Sequence, residues 1–265
     1  MIIVDSHCHL DDPRLRDQLP AVLARAQAAG VRYIQSICTR REDFAFISDL
    51  AMRDPHVFCS YGIHPHHADD DVASYDELYT HGQHPRVIAL GETGLDYYYE
   101  YSGRARQEES FRTHIQAARA LNLPVIIHSR DADADTIRVL ADERTAGGPF
   151  KALLHCFSSG PALAEYAVAE GIMISFSGIL TFKKATALRS LAQTIPLELL
   201  LVETDGPYLA PEPYRGKVGE PAMTLETLRV LADLRGLPVA TLAAITTANF
   251  FRLFNKAQPL GGDKV

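Results

Sequence analysis

The stretch from Val4 to Asp12 reads VDSHCHLDD, two histidines separated by one cysteine at the end of a short apolar run. In an extended strand, side chains alternate faces at about 3.3 Å per residue, so His7 and His9 share a face and Cys8 points away. Taken alone, the pair reads equally well as two exposed histidines at a strand end. Partners elsewhere change that. His64, Glu92, His128, His155 and Asp205 each fall near the end of a further apolar run. Singly, each has an ordinary account: His64 could cap a turn before Pro65, Glu92 could pair with an arginine, and Asp205 could open a DGP turn. Jointly, even with His64 set aside, independent structural causes would have to place four histidines and two carboxylates at the same end of five strands.

That set exceeds what one tetrahedral ion needs, so it points to two divalent ions sharing a bridging carboxylate. Glu92 is the expected bridge. His7, His9 and Asp205 are assigned to one ion, His128 and His155 to the other, with a hydroxide between; Glu92 and Asp205 are the expected catalytic carboxylates. Two divalent ions, less two carboxylates and a hydroxide, leave about one positive charge to attract a phosphodiester. Water on such an ion drops from a pKa of 15.7 to roughly 7 to 9, which provides a nucleophile at neutral pH. The donor types leave Mg2+, Mn2+ and Zn2+ open.

Around this core, Asp5 and Glu203 share the face of the neighbouring ligands one layer deeper, where they could hold an imidazole tautomer or stay buried and paired. Arg130, two residues beyond His128, could grip a phosphate or pair with Asp131 or Asp133. The loop DGPYLAPEPYRGK brings Tyr208, Arg215 and Lys217, either to the substrate or to a plain surface. His64 is grouped with these substrate contacts. His56, His67, His81, His84 and His114 are expected in solvated helices or connections, and His66 is left open.

The elements that must position these groups are visible as apolar β-rich runs over 2–9, 32–39, 57–65, 87–96, 124–131, 152–159, 172–180 and 199–207. Helical patterns lie between them, over 15–30, 104–122 and 161–171, closed by Gly or Pro stop signals. Two more helices and a loose tail, 255–265, are expected at the C-terminus. Eight alternations of strand and helix imply parallel strands with helical crossovers, and in about 250 residues they suit a closed (β/α)8 barrel. A doubly wound open sheet is the alternative. No linker divides the chain, so 1–265 is expected to be one domain.

At 47% hydrophobic and 22% charged, with 265 residues, the composition is that of an ordinary globular protein. No apolar stretch approaches the ~20 residues of a membrane span, and the start lacks the pattern of a signal peptide, so a cytoplasmic location is expected. Cys8, Cys38, Cys59 and Cys156 form no CxxC pair and lie in apolar runs, which suits buried thiols in a reducing compartment. A net charge of −7 argues against a broad basic footprint for duplex DNA. No membrane or obligate protein partner is expected.

The segments DSHCHLD, GIHPH, GETGLDYY, PVIIHSRDA, LHCFS, ISFSGILTFK, LLVETDGPYLAP and TTANFFRLF, in this order from Val4 to Phe254, resemble the TatD family of metal-dependent deoxyribonucleases, in particular its YcfH-type branch. The resemblance implies a metallo-dependent hydrolase barrel, with His7, His9, Glu92, His128, His155 and Asp205 as metal ligands. It also implies a nuclease acting on DNA, often at single-stranded 3′ ends. Gly206 stands where the family commonly has serine, which removes a hydroxyl beside a ligand.

Three functions follow from these residues. The first is a two-metal phosphodiesterase. The second is an amide or ester hydrolase on the same barrel, such as an aminoacyl-tRNA deacylase, since fold alone does not choose chemistry. The third is a nucleic-acid-binding or protein-interaction module without turnover, which the full ligand set argues against.

Overall fold

The structure, a computed structural model, describes residues 1–263. In chain order the first half holds β1 (Ile3–Cys8), α1 (Pro13–Arg16), α2 (Leu19–Ala28), β2 (Val31–Ser36), α3 (Phe44–Arg53), β3 (Val57–Tyr61), α4 (Tyr75–Gly82), β4 (Val87–Asp96) and α5 (Arg104–Leu121). The second half holds β5 (Val125–Arg130), α6 (Asp133–Gly147), β6 (Ala152–Leu154), α7 (Pro161–Ala169), β7 (Met173–Phe176), α8 (Thr186–Thr194), β8 (Leu200–Val202), α9 (Thr224–Leu234) and α10 (Val239–Leu253). Every strand pairs in parallel with the next, from β1 through β8. The seam between β8 and β1 is joined at the mouth, where the Asp205 N–H donates to His7 O at 2.9 Å and the His9 N–H to Gly206 O at 2.7 Å. The expected (β/α)8 barrel is the observed one.

The strands read as nearly unbroken apolar runs because helices cover them outside and side chains fill them inside. Residues from every strand (Val4, Tyr33, Phe58, Ile88, Ile126, Leu153, Met173 and Leu201) join a single buried cluster with Phe250 and Leu253 of α10 and with Phe254 just after it. This layer is the floor of the barrel, and α10 closes it from below. A packed floor leaves the opposite, C-terminal end free for chemistry.

Local signals set the element ends. The helix expected over 15–30 is two helices, α1 and α2, because Pro20 lacks an N–H and fits only the first turn of a new helix. Ser74 Oγ accepts the Glu77 N–H and starts α4. Asn122, in the left-handed region at φ 54°, ends α5 by donating to Ala118 O and Arg119 O.

Two further expectations are corrected. The sixth, seventh and eighth strands are shorter than their apolar runs, so His155 and Asp205 lie in turns just beyond β6 and β8. The tail is not loose as far as Asp263: the Leu260 N–H donates to Tyr33 Oη at 2.7 Å, and Asp263 accepts from Tyr33 Oη and Arg32. Its last two residues lie outside the described ones.

Candidate metal centre

Glu92, just past the middle of β4, is 2% exposed and is ringed by imidazoles from four other segments. His155 Nε2 stands 2.7 Å away, His128 Nδ1 3.0 Å, His7 Nε2 3.2 Å and His64 Nε2 3.3 Å. Beside this ring, Asp205 Oδ1 lies 3.3 Å from His9 Nε2 and 3.8 Å from His7 Nε2. His7 therefore belongs to both groups. Donor atoms gather in three sets: His7, Glu92 and His155; His7, His9 and Asp205; His64, Glu92 and His128. Asp205 reaches the cavity from a left-handed backbone, φ 57°, a conformation that a short acidic residue tolerates better than most.

The donor set fits metal ions. Among the described residues no arginine or lysine approaches Glu92 or Asp205 to ion-pair distance, so nothing but imidazole balances two carboxylates in a buried site. Burial alone would raise the Glu92 carboxyl, but the surrounding imidazoles, His155 foremost, hold it well below the ordinary carboxylate range. Burial would likewise lower His155, and the charges and bonds of Glu92 and Glu203 outweigh it, so its pKa is raised. His7 is depressed, by burial and then by His155, whose ring stacks on it at 3.8 Å. Neither His7 ring nitrogen has a well-aligned hydrogen bond although the residue is fully buried. Its 3.2 Å approach to Glu92 suits a shared ion better than a hydrogen bond. Burial depresses His64 to about 3, which keeps its ring neutral. Its Nδ1 accepts the His66 N–H, so its proton sits on Nε2 and faces Glu92.

Comparison with known proteins agrees with this geometry. The model of the family described as TatD related DNase matches residues 4–255. The chain belongs to that family. Among its relatives is YcfH of Escherichia coli K12, an uncharacterized metal-dependent hydrolase, 44% identical over 260 residues that span 96% of both chains. The 3′-5′ ssDNA/RNA exonuclease TatD of Salmonella typhimurium is 36% identical over 239 residues, 88% of this chain and 91% of that one. The crystal structure of YjjV, a TatD homologue of Escherichia coli K12, superposes with a TM-score of 0.88 at 29% identity, covering 96% of this chain and 98% of that one. The protein is a metal-dependent hydrolase of the TatD-related DNase family.

Around this TatD-type centre, Glu203 Oε1 lies 3.3 Å from His155 Nδ1 and accepts the Cys156 N–H at 2.8 Å. Asp5 touches no imidazole. It accepts from the Thr204 N–H at 2.9 Å, from Thr204 Oγ1 at 2.5 Å and from the His7 N–H at 3.3 Å, tying β1 to the turn that carries Asp205. Burial first, offset in part by the Thr204 bonds, moves Asp5 up to about 7. A cavity of about 980 Å³ opens over the centre, with Arg130, Tyr208, Arg16 and Arg40 in its wall. Arg215 and Lys217 are not in that wall: Arg215 lies over the Phe182 ring at 3.8 Å and Lys217 over Tyr214 at 5.5 Å. The serine common at position 206 would put a Cβ 3.1 Å from Gly219 O and 3.3 Å from Cys8 Sγ. Glycine lets the mouth loop settle against β1 there.

Sequence reasoning missed Asp96. Its Oδ2 is 2.8 Å from His66 Nε2 and 3.1 Å from His128 Nε2, so it grips the far side of a candidate ligand. Asp96 lies four residues beyond Glu92 on β4, on the same face, and strand parity alone would have singled it out. His66 and His67 also line the cavity. His67 is half-buried there, its Nε2 accepting from the exposed Arg40 Nε at 2.9 Å.

Proposed function

We propose that the chain is a deoxyribonuclease that shortens single-stranded DNA from 3′ ends, with two divalent ions, Mg2+, Mn2+ or Zn2+, held by His7, His9, Glu92, His128, His155 and Asp205. The observation that carries this reading is the buried Glu92 carboxylate surrounded by four imidazoles, with no cationic side chain among the described residues to balance it. Divalent ions in such a site supply Lewis acidity, activate water near neutral pH and offset the charge on a phosphate.

The chain's own residues do the rest. Glu92, fixed by His64, would be the carboxylate shared by the ions, and Asp205 with His9 would complete the seam side. Glu203 and Asp96 orient His155 and His128, and Asp5 keeps the Asp205 turn in register with β1. Arg130 meets a phosphate next to the scissile one. The whole chain acts as one domain, and its four free cysteines, three of them buried, suit the cytoplasm.

The test is turnover by metal-stripped protein refilled with one metal at a time, on end-labelled single-stranded DNA resolved on a gel. Progressive one-nucleotide shortening is expected, together with elemental analysis giving two ions per chain. In Glu92→Ala, turnover and metal content should both fall while circular dichroism stays unchanged. Internal nicking of duplex as the main product, or no cleavage of nucleic acid beside rapid hydrolysis of an aminoacyl ester, overturns the reading.

A further inference from the structure

The segment after β4 carries aromatic side chains that the core does not use. Tyr98, Tyr99 and Tyr101 are 58%, 45% and 67% exposed. Tyr99 and Tyr101 lie face to face, with ring centroids 5.1 Å apart and planes 9° from parallel, and both belong to the cavity wall. The Arg130 guanidinium lies over Tyr98 at 4.1 Å and over Tyr99 at 4.7 Å. Among the described residues it has no carboxylate at ion-pair distance, unlike Arg14 beside Asp12.

This exposed cluster is held in place. Asp96 Oδ1 accepts the N–H groups of Tyr98 and Tyr99, each at 3.0 Å. The Gln107 amide bonds Asp96 N at 2.8 Å, Asp96 O at 3.2 Å and Ser102 O at 2.8 Å. Ser102 Oγ donates to His66 O at 3.0 Å. A rigid aromatic pair beside an unpaired guanidinium is the counterpart of a single strand, which offers flat base faces alternating with phosphates. In a duplex those faces are covered by neighbouring base pairs.

We infer that Tyr99 and Tyr101 form a shelf on which an unpaired nucleobase next to the scissile phosphate stacks, with Arg130 holding the adjoining phosphate. The inference rests on the nuclease reading and gives it a physical basis for choosing single strands. Tyr101, the most exposed of the three, offers its outer face to the base.

The test compares the metal-loaded wild type with Tyr101→Ala, Tyr101→Phe and the Tyr99→Ala/Tyr101→Ala pair. Substrates are a short single-stranded oligonucleotide and the same strand with abasic terminal residues. Binding of a phosphorothioate-linked strand is followed in parallel by fluorescence anisotropy. Loss of one stacked base should raise KM and Kd for the base-bearing strand about tenfold in Tyr101→Ala, with kcat little changed. Tyr101→Phe should restore both, and on the abasic strand wild type and variants should coincide. Unchanged KM and Kd in the double variant, while the wild type cuts the oligonucleotide, overturns the shelf and leaves the nuclease reading standing. Equal weakening on base-bearing and abasic strands also overturns it, by assigning the tyrosines to loop structure. A wild type that cuts no oligonucleotide removes the nuclease reading and the shelf with it.

Discussion

His114, in the middle of α5, carries a pH dependence by itself. Its ring is fully buried, Nδ1–H donates to Ser110 O at 2.7 Å, and Nε2 accepts the Ile63 N–H at 3.1 Å. Burial, only partly offset by the Ser110 bond, lowers its pKa to about 4. The unfolded chain, near 6.5, then binds more protons than the native one between pH 4 and 6.5, so stability rises with pH through that window and is fully present above it. Between pH 7 and pH 5 this group should cost about 2 kcal/mol of stability. Urea unfolding of wild type and His114→Gln at both pH values checks it: the variant should lose less on acidification, and equal losses would clear the imidazole of the effect. The expectation of a solvated His114 failed because Gln107, Ser110, Phe111, His114, Ile115 and Ala118 form one buried stripe at helical spacing.

At the scale of elements, the packing of β4 on β5 decides where His128 stands. Gly94 has φ 138°, and a Cβ there would sit 2.1 Å from the carbonyl oxygen of His128. Alanine at 94 must therefore push β5 away and strain its own backbone, at a cost of about 2 kcal/mol or more. Gly94→Ala should lower Tm by several degrees, and it should also lower kcat, because His128 leaves its place between Glu92 and Asp96. Gly148 is the control, with φ 83° and nothing within 4 Å of an added Cβ. Gly148→Ala should lower Tm while sparing kcat. Comparable loss of kcat in both would mean that the strand contact does not position the site.

Over the whole molecule, a net charge of −7 opposes the approach of a nucleic acid, so binding must rest on local cations. The cations in the cavity wall are Arg16, Arg40 and Arg130, with Asp11, Asp12 and Asp43 among them. With two or three phosphates engaged, log KM for a single strand should change with log salt at a magnitude of about 0.7 per phosphate, near 1.5 to 2 in all. Arg130→Ala should reduce that dependence by about 0.7, and Arg215→Ala and Lys217→Ala should leave it unchanged. A steep dependence, or a large effect of Arg215→Ala, would place the nucleic acid on the outer face of the loop instead. No helix among the described residues is long and apolar enough to cross a membrane.

The sequence by itself determined the barrel and the end of it where the chemistry gathers. Buried parallel strands must be continuous apolar runs, helices need stop signals within a turn of their ends, and both are written in neighbouring residues. Polar side chains closing those runs, His7, His9, Glu92, His128, His155 and Asp205, stood out against that background. Only the tertiary structure decided that Asp96 grips both His66 and His128, that Asp5 holds Thr204 rather than an imidazole, and that Arg215 and Lys217 turn away from the cavity. It also decided where β1 and β8 join and what holds the tail. Each of these depends on register, on loop paths and on contacts between residues far apart in the chain. Propensity and periodicity act over a few residues and carry no information about which distant partner a side chain meets.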